Sequence, residues 1–399
     1  MPLSPAEHAN QQMVDRLIAE GALWSPALIA AFRRTPRHCF LDRVYQYQRK
    51  SGRWREIVTR EPDADELRLL YSDRALITRL APAGRTGPEV PISSSTQPSL
   101  MAQMLEDIKL DADLSVLEVG AGTGYNAALM ACVVSPGAVT SIDVDKEVLA
   151  EAWDHLRRFP DRRVTLKHAD GRSGEPEGAP YDRIMITAAT PDLEPAWLEQ
   201  LSQRGLLLAP LALAPGLAYV VRGTVTNGVF HGRLIRAAYF MPLRTEGDAG
   251  PSELESVAPA GELKTVPAPW AGWFDRRRSR TSWLGFSQSI AFFGMMHGMS
   301  VHYRVLDSGQ PAYGISQEDI VCWYGPQEWH VNGDAGRKLG DSLWHSFLNA
   351  GGPWPTEFRL RASPDGSLRA GPRRAYVRQG VRCLQLWELP ESRDRPAWI

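Results

Sequence analysis

Two short apolar runs stand out along the chain. Val116, Leu117 and Val119 form the first, and Val139 to Val144 the second. Short unalternating runs bounded by turn residues predict strands buried on both faces, as in a parallel sheet. An apolar helical pattern begins at Tyr125, between them. Further along, Val164-Thr165-Leu166, Tyr181 to Thr187 and Leu206 to Pro210 predict strands, and Leu193 to Leu201 predicts a helix. Residues 217–224 and 233–240 predict an antiparallel pair around the turn dipeptide Asn227-Gly228. Upstream, Ser4-Pro5-Ala6-Glu7 is a capping box with proline at the first helical position. Met13, Val14, Leu17 and Ile18 then line one helical face, and Gly21 ends the element. Ser25-Pro26 opens a second helix carrying Leu28, Ile29 and Phe32, which stops before Pro36. Residues 43–70 mix Arg and Glu and predict a surface insertion around a helix. A helix with Leu100, Met101, Met104 and Leu105 follows Pro98.

These patterns set the domain organisation. Alternating strands and helices over 110–245 predict an α/β, Rossmann-like doubly wound domain. Residues 1–110 are its N-terminal helical segment and 111–244 its core. Residues 245–269, rich in Gly, Pro, Glu, Ser and Ala, predict a linker. Residues 270–399 predict a second domain rich in Trp, with an α+β pattern. Its helix face holds Leu339, Leu343 and Phe347, and its strands are Phe358 to Ala362 and Val381 to Leu389, with a turn at Asp365-Gly366.

Candidate chemistry concentrates at the joint between the first strand and its helix. Gly120, Gly122 and Gly124 follow Glu118-Val119 at alternate positions. Glycines there admit a tight strand-to-helix turn and a close backbone approach to a ligand. Asp143 and Val144 end the second strand, where a carboxylate grips ribose hydroxyls. The spacing G-x-G-x-G, with Tyr125 in place of a last glycine, departs from the dinucleotide fingerprint, and no Lys-Ser/Thr follows to make a phosphate loop. Glu118 ahead of the glycines fits the S-adenosylmethionine (SAM) version of the loop, in which an acidic group sits near a cationic cofactor.

Three further stretches join it. Asp170-Gly171, past the third strand, offers an acceptor for an adenine amino group, or is a turn Asp-Gly. Thr187-Ala188-Ala189 places small residues where a ligand needs room. Ser93, Ser94, Ser95 and Thr96 are four consecutive hydroxyls ahead of a helix. They read either as a clamp for an anionic substrate group or as a Ser/Thr helix cap, and the residues leave both open.

Composition narrows the classes. A net charge of −1 over 399 residues gives no global bias toward nucleic acid or anionic membrane, so neither is expected as a partner. The hydrophobic content of 43% is ample for packed cores. Cys39, Cys132, Cys322 and Cys383 form no C-x-x-C pair and read as reduced thiols, and no signal peptide pattern opens the sequence, so the expected location is cytoplasmic. Leu206 to Val221 is interrupted by Pro210, Pro215 and Gly216 and is too short to span a bilayer. Arg276 to Arg280 reads first as a solvated basic run. His297 and His302 lack metal-ligand spacing, and no metal site is expected.

Taken together, residues 1–245 resemble the protein-L-isoaspartate O-methyltransferase family nearly end to end. Thr35-Pro36-Arg37-His38-Cys39-Phe40 is similar to its Val-Pro-Arg-x-x-Phe segment, and Tyr71-Ser72-Asp73 to its Tyr-x-Asp. Ser95-Thr96-Gln97-Pro98 falls on its Ile-Ser-x-Pro substrate loop, and Leu117 to Tyr125 on its SAM loop. Ala169-Asp170-Gly171 resembles Gly-Asp-Gly, Asp182 to Ala189 the Asp-x-Ile-x-Val-Thr-Ala-Ala strand, and Phe240 to Leu243 the closing Phe-Val-Pro-Leu. The family's serine is Thr96 here, Leu211-Ala212 replaces Val-Gly, residues 43–70 are longer, and the second domain is extra.

The resemblance implies an enzyme that methylates a carboxylate of an aspartyl or isoaspartyl residue in a peptide or protein, with SAM as donor. It assigns Gly120, Gly122, Gly124, Glu118, Asp143, Val144, Asp170, Gly171 and Thr187 to the cofactor, and Ser93 to Thr96 to the substrate, with Ser95 and Thr96 as the catalytic pair. Similar two-domain relatives act in ribosomal peptide natural-product pathways (lanthipeptide, graspetide, lasso), where the ester closes to an aspartimide. Three readings therefore compete: methylation of one modified peptide, general isoaspartyl repair, and a non-catalytic peptide-binding module on a methyltransferase fold. The Trp residues and the basic run of the second domain favour the first, as anchors for a large acceptor.

Overall fold

The computed structural model describes residues 3–59, 61–82, 87–246, 263–270, 282–305, 311–325, 328–368 and 374–390. Two compact units divide the chain. The first holds Met1–Pro210, Arg222–Gly228 and Ala238–Pro251, and the second Leu211–Val221, Val229–Ala237 and Ser252–Ile399.

The first unit opens with α1 (Pro5–Ala19), whose Ser4–Glu7 capping box is present as the sequence predicts. Met13, Val14 and Leu17 are buried. Then comes α2 (Pro26–Arg34), ended by Pro36. The next stretch departs from expectation. Residues 43–70, read as a surface insertion around a helix, hold the expected helix as α3 (Ala64–Leu70), but before it comes a hairpin of β1 (Arg43–Gln48) and β2 (Arg53–Val58) that the residue pattern does not predict. Most hairpin positions face solvent on both sides, which hides the period-two alternation on which strand recognition rests. β3 (Leu76–Pro82), β4 (Glu89–Ser95) and α4 (Pro98–Ile108) follow. The four strands form one antiparallel sheet, ordered β2-β1-β3-β4.

The doubly wound core comes next. Its elements are β5 (Val116–Val119), α5 (Tyr125–Met130), β6 (Val139–Asp143), α6 (Lys146–Leu156), β7 (Val164–His168), β8 (Tyr181–Ile186), α7 (Pro195–Gln200) and β9 (Leu201–Ala214). The strands pair in parallel in the order β9-β8-β5-β6-β7. Strand order reverses between β5 and β8, which makes their carboxyl ends the natural ligand crevice. β5 is buried along its whole length, as its unalternating apolar run predicts. β10 (Leu217–Thr226) and β11 (Val229–Ala237) turn at Asn227-Gly228, the predicted hairpin.

Leu211–Val221 and Val229–Ala237, read from the sequence as methyltransferase core, belong to the second unit. The physical reason is that β11 pairs with β17 (Arg359–Ser363), from Phe230 opposite Ala362 to Arg233 opposite Arg359. The other elements of this unit are, in order, β12 (Lys264–Pro267), α8 (Trp283–Met296), β13 (Ser300–Val305), β14 (Pro311–Gln317), β15 (Ile320–Tyr324), β16 (Glu328–Val331), α9 (Gly333–Asn349), then, after β17, β18 (Arg374–Gln379) and β19 (Leu384–Leu389). An antiparallel sheet runs β12-β16-β15-β14-β13, and β19 joins β17 to β18. α8 is apolar nearly all round and buried from Phe286 to Gly294, so it carries no amphipathic period to read. The Trp residues expected as interface anchors are largely core: Trp270, Trp329 and Trp387 are fully buried, and Trp270 sits edge-on to Trp329 and Trp344. The Arg276 to Arg280 run lies outside the described residues. Among the described residues, no helix is long and apolar enough to cross a membrane.

Candidate active site

A cavity opens where β5, β6 and β8 end, with the last residues of β4 along it. The turn after β5 is built on positive φ, at +100° for Gly120 and +51° for Gly122. At Gly120 a side chain is sterically excluded, since its Cβ would lie 2.5 Å from Thr187 Oγ1. A Cβ at Gly122 would meet nothing within 4 Å, so there bare backbone faces open space. Thr187 Oγ1 donates to the Gly120 carbonyl at 2.8 Å, which ties the end of β8 to the loop. Gly124 is turned the other way: its Cβ position is 3.3 Å from Ala152 and Leu156, so it serves the packing of α6 and does not line the cavity.

Asp143 stands across the loop. Its carboxylate accepts from the Gly122 and Asp145 amides, each at 3.1 Å. Burial pushes its pKa above the ordinary value, and those two amides oppose the shift. Below lies Glu118, fully buried, accepting from Asn126 Nδ2 at 2.7 Å and from Ser141 Oγ. Burial raises its carboxyl to about 7, partly countered by these two donors. Val144 and Gly171 line the cavity beside Asp143. Gly171 admits no side chain, because a Cβ would lie 2.5 Å from Val119 Cγ1. Asp170 does not line the cavity. It caps the following turn and grips Arg172, with Nη2 at 2.7 Å.

The hydroxyl cluster is not a helix cap. The cap position of α4 is Gln97, which makes no capping bond, and Asp73 accepts the Ser99 amide at 2.8 Å instead. Ser93 to Ser95 end a strand, and with Thr96 they line the cavity that the glycine loop lines. Two of the four hydroxyls are engaged: Ser93 Oγ accepts from Thr78 at 3.2 Å, and Ser95 Oγ from Arg37 at 3.3 Å. The Ser94 and Thr96 hydroxyls have no partner among the described residues. They are the available donors.

Two groups match family motifs in the sequence but are given no role there. Arg37 is fully buried and makes no ion pair among the described residues, though the Asp73 carboxylate acts on it electrostatically. Its guanidinium donates to the carbonyls of Leu70 at 2.8 Å, Ser72 at 3.2 Å, Arg74 at 3.1 Å, Ser95 at 3.4 Å and Thr96 at 3.0 Å. Burial lowers its pKa to about 10. It is the positioning residue of the hydroxyl strand, and the Thr-Pro-Arg segment was its only signal. The second is Phe240 to Arg244, which roofs the cavity and is held by Ala189, whose amide and carbonyl bond Met241 and Leu243 at 2.7 Å each.

A crevice at the switch point of a doubly wound sheet, a glycine turn with a bare edge and a carboxylate at the end of the second strand fit the adenosyl part of SAM. They define the class as a SAM-dependent methyltransferase fold. The family Protein-L-isoaspartate(D-aspartate) O-methyltransferase (PCMT) matches residues 76–246. The protein-L-isoaspartate O-methyltransferase of Hyperthermus butylicus is 33% identical over 261 residues, which are 62% of this chain and 92% of that protein. That of Opitutus terrae is 29% identical over 237 residues, 59% and 87% of the two chains. A solved protein-L-isoaspartate O-methyltransferase shares the fold over 88% of this chain and 96% of its own, with a TM-score of 0.50 at 20% identity. The chain belongs to the protein-L-isoaspartate O-methyltransferase family, and its methyl donor is SAM.

Proposed function

We propose that this chain transfers a methyl group from SAM to the carboxylate of an isoaspartyl or aspartyl residue in a peptide or protein, and that the ester then closes to a succinimide. The observation that carries the reading is the meeting, in one cavity, of the glycine loop and Asp143 with the unpartnered Ser94 and Thr96 hydroxyls. An aspartyl carboxylate ionises near a pKa of about 4, so at neutral pH the acceptor is already a nucleophile and needs no general base. Catalysis then rests on position and dryness. When bound, SAM supplies an electrophilic methyl on a sulfonium. Gly122 and Asp143 would hold its ribose end, with Glu118 beneath the loop and Gly171, Val144 and Thr187 shaping the walls. Ser94 and Thr96 would donate to one carboxylate oxygen and leave the other facing the methyl. Phe240 to Arg244 would exclude water. Closure of the ester needs only the next backbone nitrogen, which attacks the carbonyl as methanol leaves.

The tailoring of one modified ribosomal peptide rested on the second domain being foreign to the family. A solved family member aligned over 88% of this chain removes much of that support, and the buried Trp residues remove more. The reading we favour is the general one. Mass spectrometry of the full chain with SAM and matched isoaspartyl, aspartyl and methylated control peptides tests it. We expect methyl ester and then succinimide on the isoaspartyl peptide. SAM binding by calorimetry with no modification of any carboxyl peptide would leave only the non-catalytic reading. Thr96→Ala should lower kcat roughly tenfold, the scale of one lost hydrogen bond to a charged group, with SAM affinity unchanged. Loss of SAM affinity instead would move Thr96 to the cofactor side.

A further inference from the structure

The glycine loop rests on α6, and the contact goes beyond packing. Ala152 and Leu156 of that helix lie 3.3 Å from the Cβ position of Gly124. On the same helix His155 is only 4% exposed, and its Nδ1 stands 2.9 Å from the carbonyl oxygen of Thr123. A carbonyl can only accept, so Nδ1 carries the proton and donates. Gly122 and Thr123 both line the cavity. The residue that His155 holds is therefore part of the wall that meets the cofactor.

The other side of the ring is set by a distant part of the chain. Nε2 faces Asp42 Oδ1 at 3.7 Å, and the ring lies edge-on to Phe40 with centroids 5.9 Å apart. Asp42 is gripped in turn by Arg158, whose Nη2 reaches both carboxylate oxygens at 3.1 Å and whose Nη1 donates to the Cys39 carbonyl at 2.8 Å. Phe40 is fully buried, stacked on Phe159 and 5.4 Å from Tyr125, the residue that follows the loop. Residues 37–42 thus reach two places at once. At one end Arg37 donates to the Ser95 and Thr96 carbonyls of the hydroxyl strand. At the other, Phe40 and Asp42 orient the ring that holds Thr123.

We propose that His155 is a positioning residue for methyl transfer. It fixes the cofactor side of the cavity through Thr123, and through Asp42 it keeps that side in register with the hydroxyl strand that Arg37 holds. An imidazole suits the task, since it is rigid and presents one nitrogen to each side. The inference rests on the carboxyl methyltransferase reading, in which the glycine loop seats the donor and Ser94 and Thr96 seat the acceptor. Transfer in line needs both seats held together, because a misplacement of about 1 Å costs roughly a hundredfold in rate. His155 touches neither substrate and acts only through Thr123 and Asp42.

The test uses the full chain and S-adenosylhomocysteine, the demethylated cofactor, so that binding is read by calorimetry without turnover. H155L should raise its Kd roughly fivefold, the scale of one hydrogen bond. H155N, whose amide nitrogen can stand where Nδ1 stands, should stay within about twofold of wild type. H155Q, whose amide reaches toward Asp42 instead, should behave like H155L. At saturating SAM and isoaspartyl peptide, H155L and D42A should each lower kcat roughly tenfold. The double variant should be no slower than the worse single one, because the two side chains form one tie. All are compared at a temperature where circular dichroism shows each variant folded. Wild-type affinity in H155L, an H155N as weak as H155L, or losses of kcat that multiply in the double variant would overturn the proposal. The expected affinities, with no methylation of any peptide by the wild type, would uphold His155 as the residue that holds the loop and sink the carboxyl methyltransferase reading on which the register rests.

Discussion

Two carboxyl groups, the half-buried Asp143 and the fully buried Glu118, adjoin the glycine loop, and they do different things. Asp143 accepts amides from Gly122 and Asp145, so it shapes the loop before any ligand arrives, and it keeps oxygen lone pairs toward the cavity. Asp143→Ala should weaken SAM binding by roughly 1–3 kcal/mol, the scale for a lost charged acceptor. Calorimetry reads this directly, and unchanged affinity would place the ribose elsewhere. Glu118 has no exposed surface, and its carboxyl is raised from 4.5 to about 7, first by burial. In the native chain it holds a proton that the unfolded chain has lost between these two values. Stability should therefore fall as pH rises through that window, by at most about 3 kcal/mol, and should level off above it. Other carboxylates act at the same time, so the comparison is with Glu118→Gln. The difference between the two urea midpoints should slope between pH 4.5 and 7 and be flat above, and a difference that does not vary with pH would mean that Glu118 stays ionised.

At the scale of elements, the hydroxyl strand is placed by a cation that touches neither cofactor nor acceptor. Arg37 satisfies carbonyls from the turn after α3 and from the end of β4 at once, a task that a planar fork with five donors performs and an ammonium does not. Arg37→Lys should leave at least one buried carbonyl without a donor and lower stability by about 3 kcal/mol, a fall in Tm of roughly 10 °C. At a temperature where the variant is folded, kcat should drop while SAM affinity holds. A variant with wild-type Tm and kcat would make the contacts incidental. The same case shows what the sequence could reveal. The SAM loop was legible because its chemistry is local: a buried strand, three glycines and an Asp about twenty residues on. Arg37, Asp73 and the roof at Phe240 to Arg244 act across long separations in the chain, and no period or spacing marks such contacts. The helix α8 was missed for a different reason, since a segment buried on every side has no polar face to set its phase. The hairpin was missed for the opposite one, being exposed on nearly every side.

The whole chain is less divisible than its sequence suggests. A joint near residue 245 looks like a place to cut, because the match to the family ends at residue 246. Yet the chain passes to the second unit at Leu211, returns at Arg222, leaves again at Val229 and returns at Ala238, all before that point. A chain ended after Glu246 would keep β11 and lose β17, its partner from Phe230 to Arg233. Within the second unit Leu217, Val220, Val221 and Phe230 are fully buried and Leu234 is nearly so. At about 1.5–3 kcal/mol per large apolar side chain, exposing several of them exceeds the stability of about 5–15 kcal/mol that a typical domain has to spare. The freed edge of β11 would also be a template for pairing with another copy. Such a fragment should therefore be recovered as aggregate, or as an associating species by size-exclusion chromatography, and should bind little SAM. The repair and tailoring readings cannot then be separated by deleting the second unit, since failure of the fragment would follow from folding alone. A monodisperse fragment with full SAM affinity would refute this account and would mean that β9 to β11 hold together without β17.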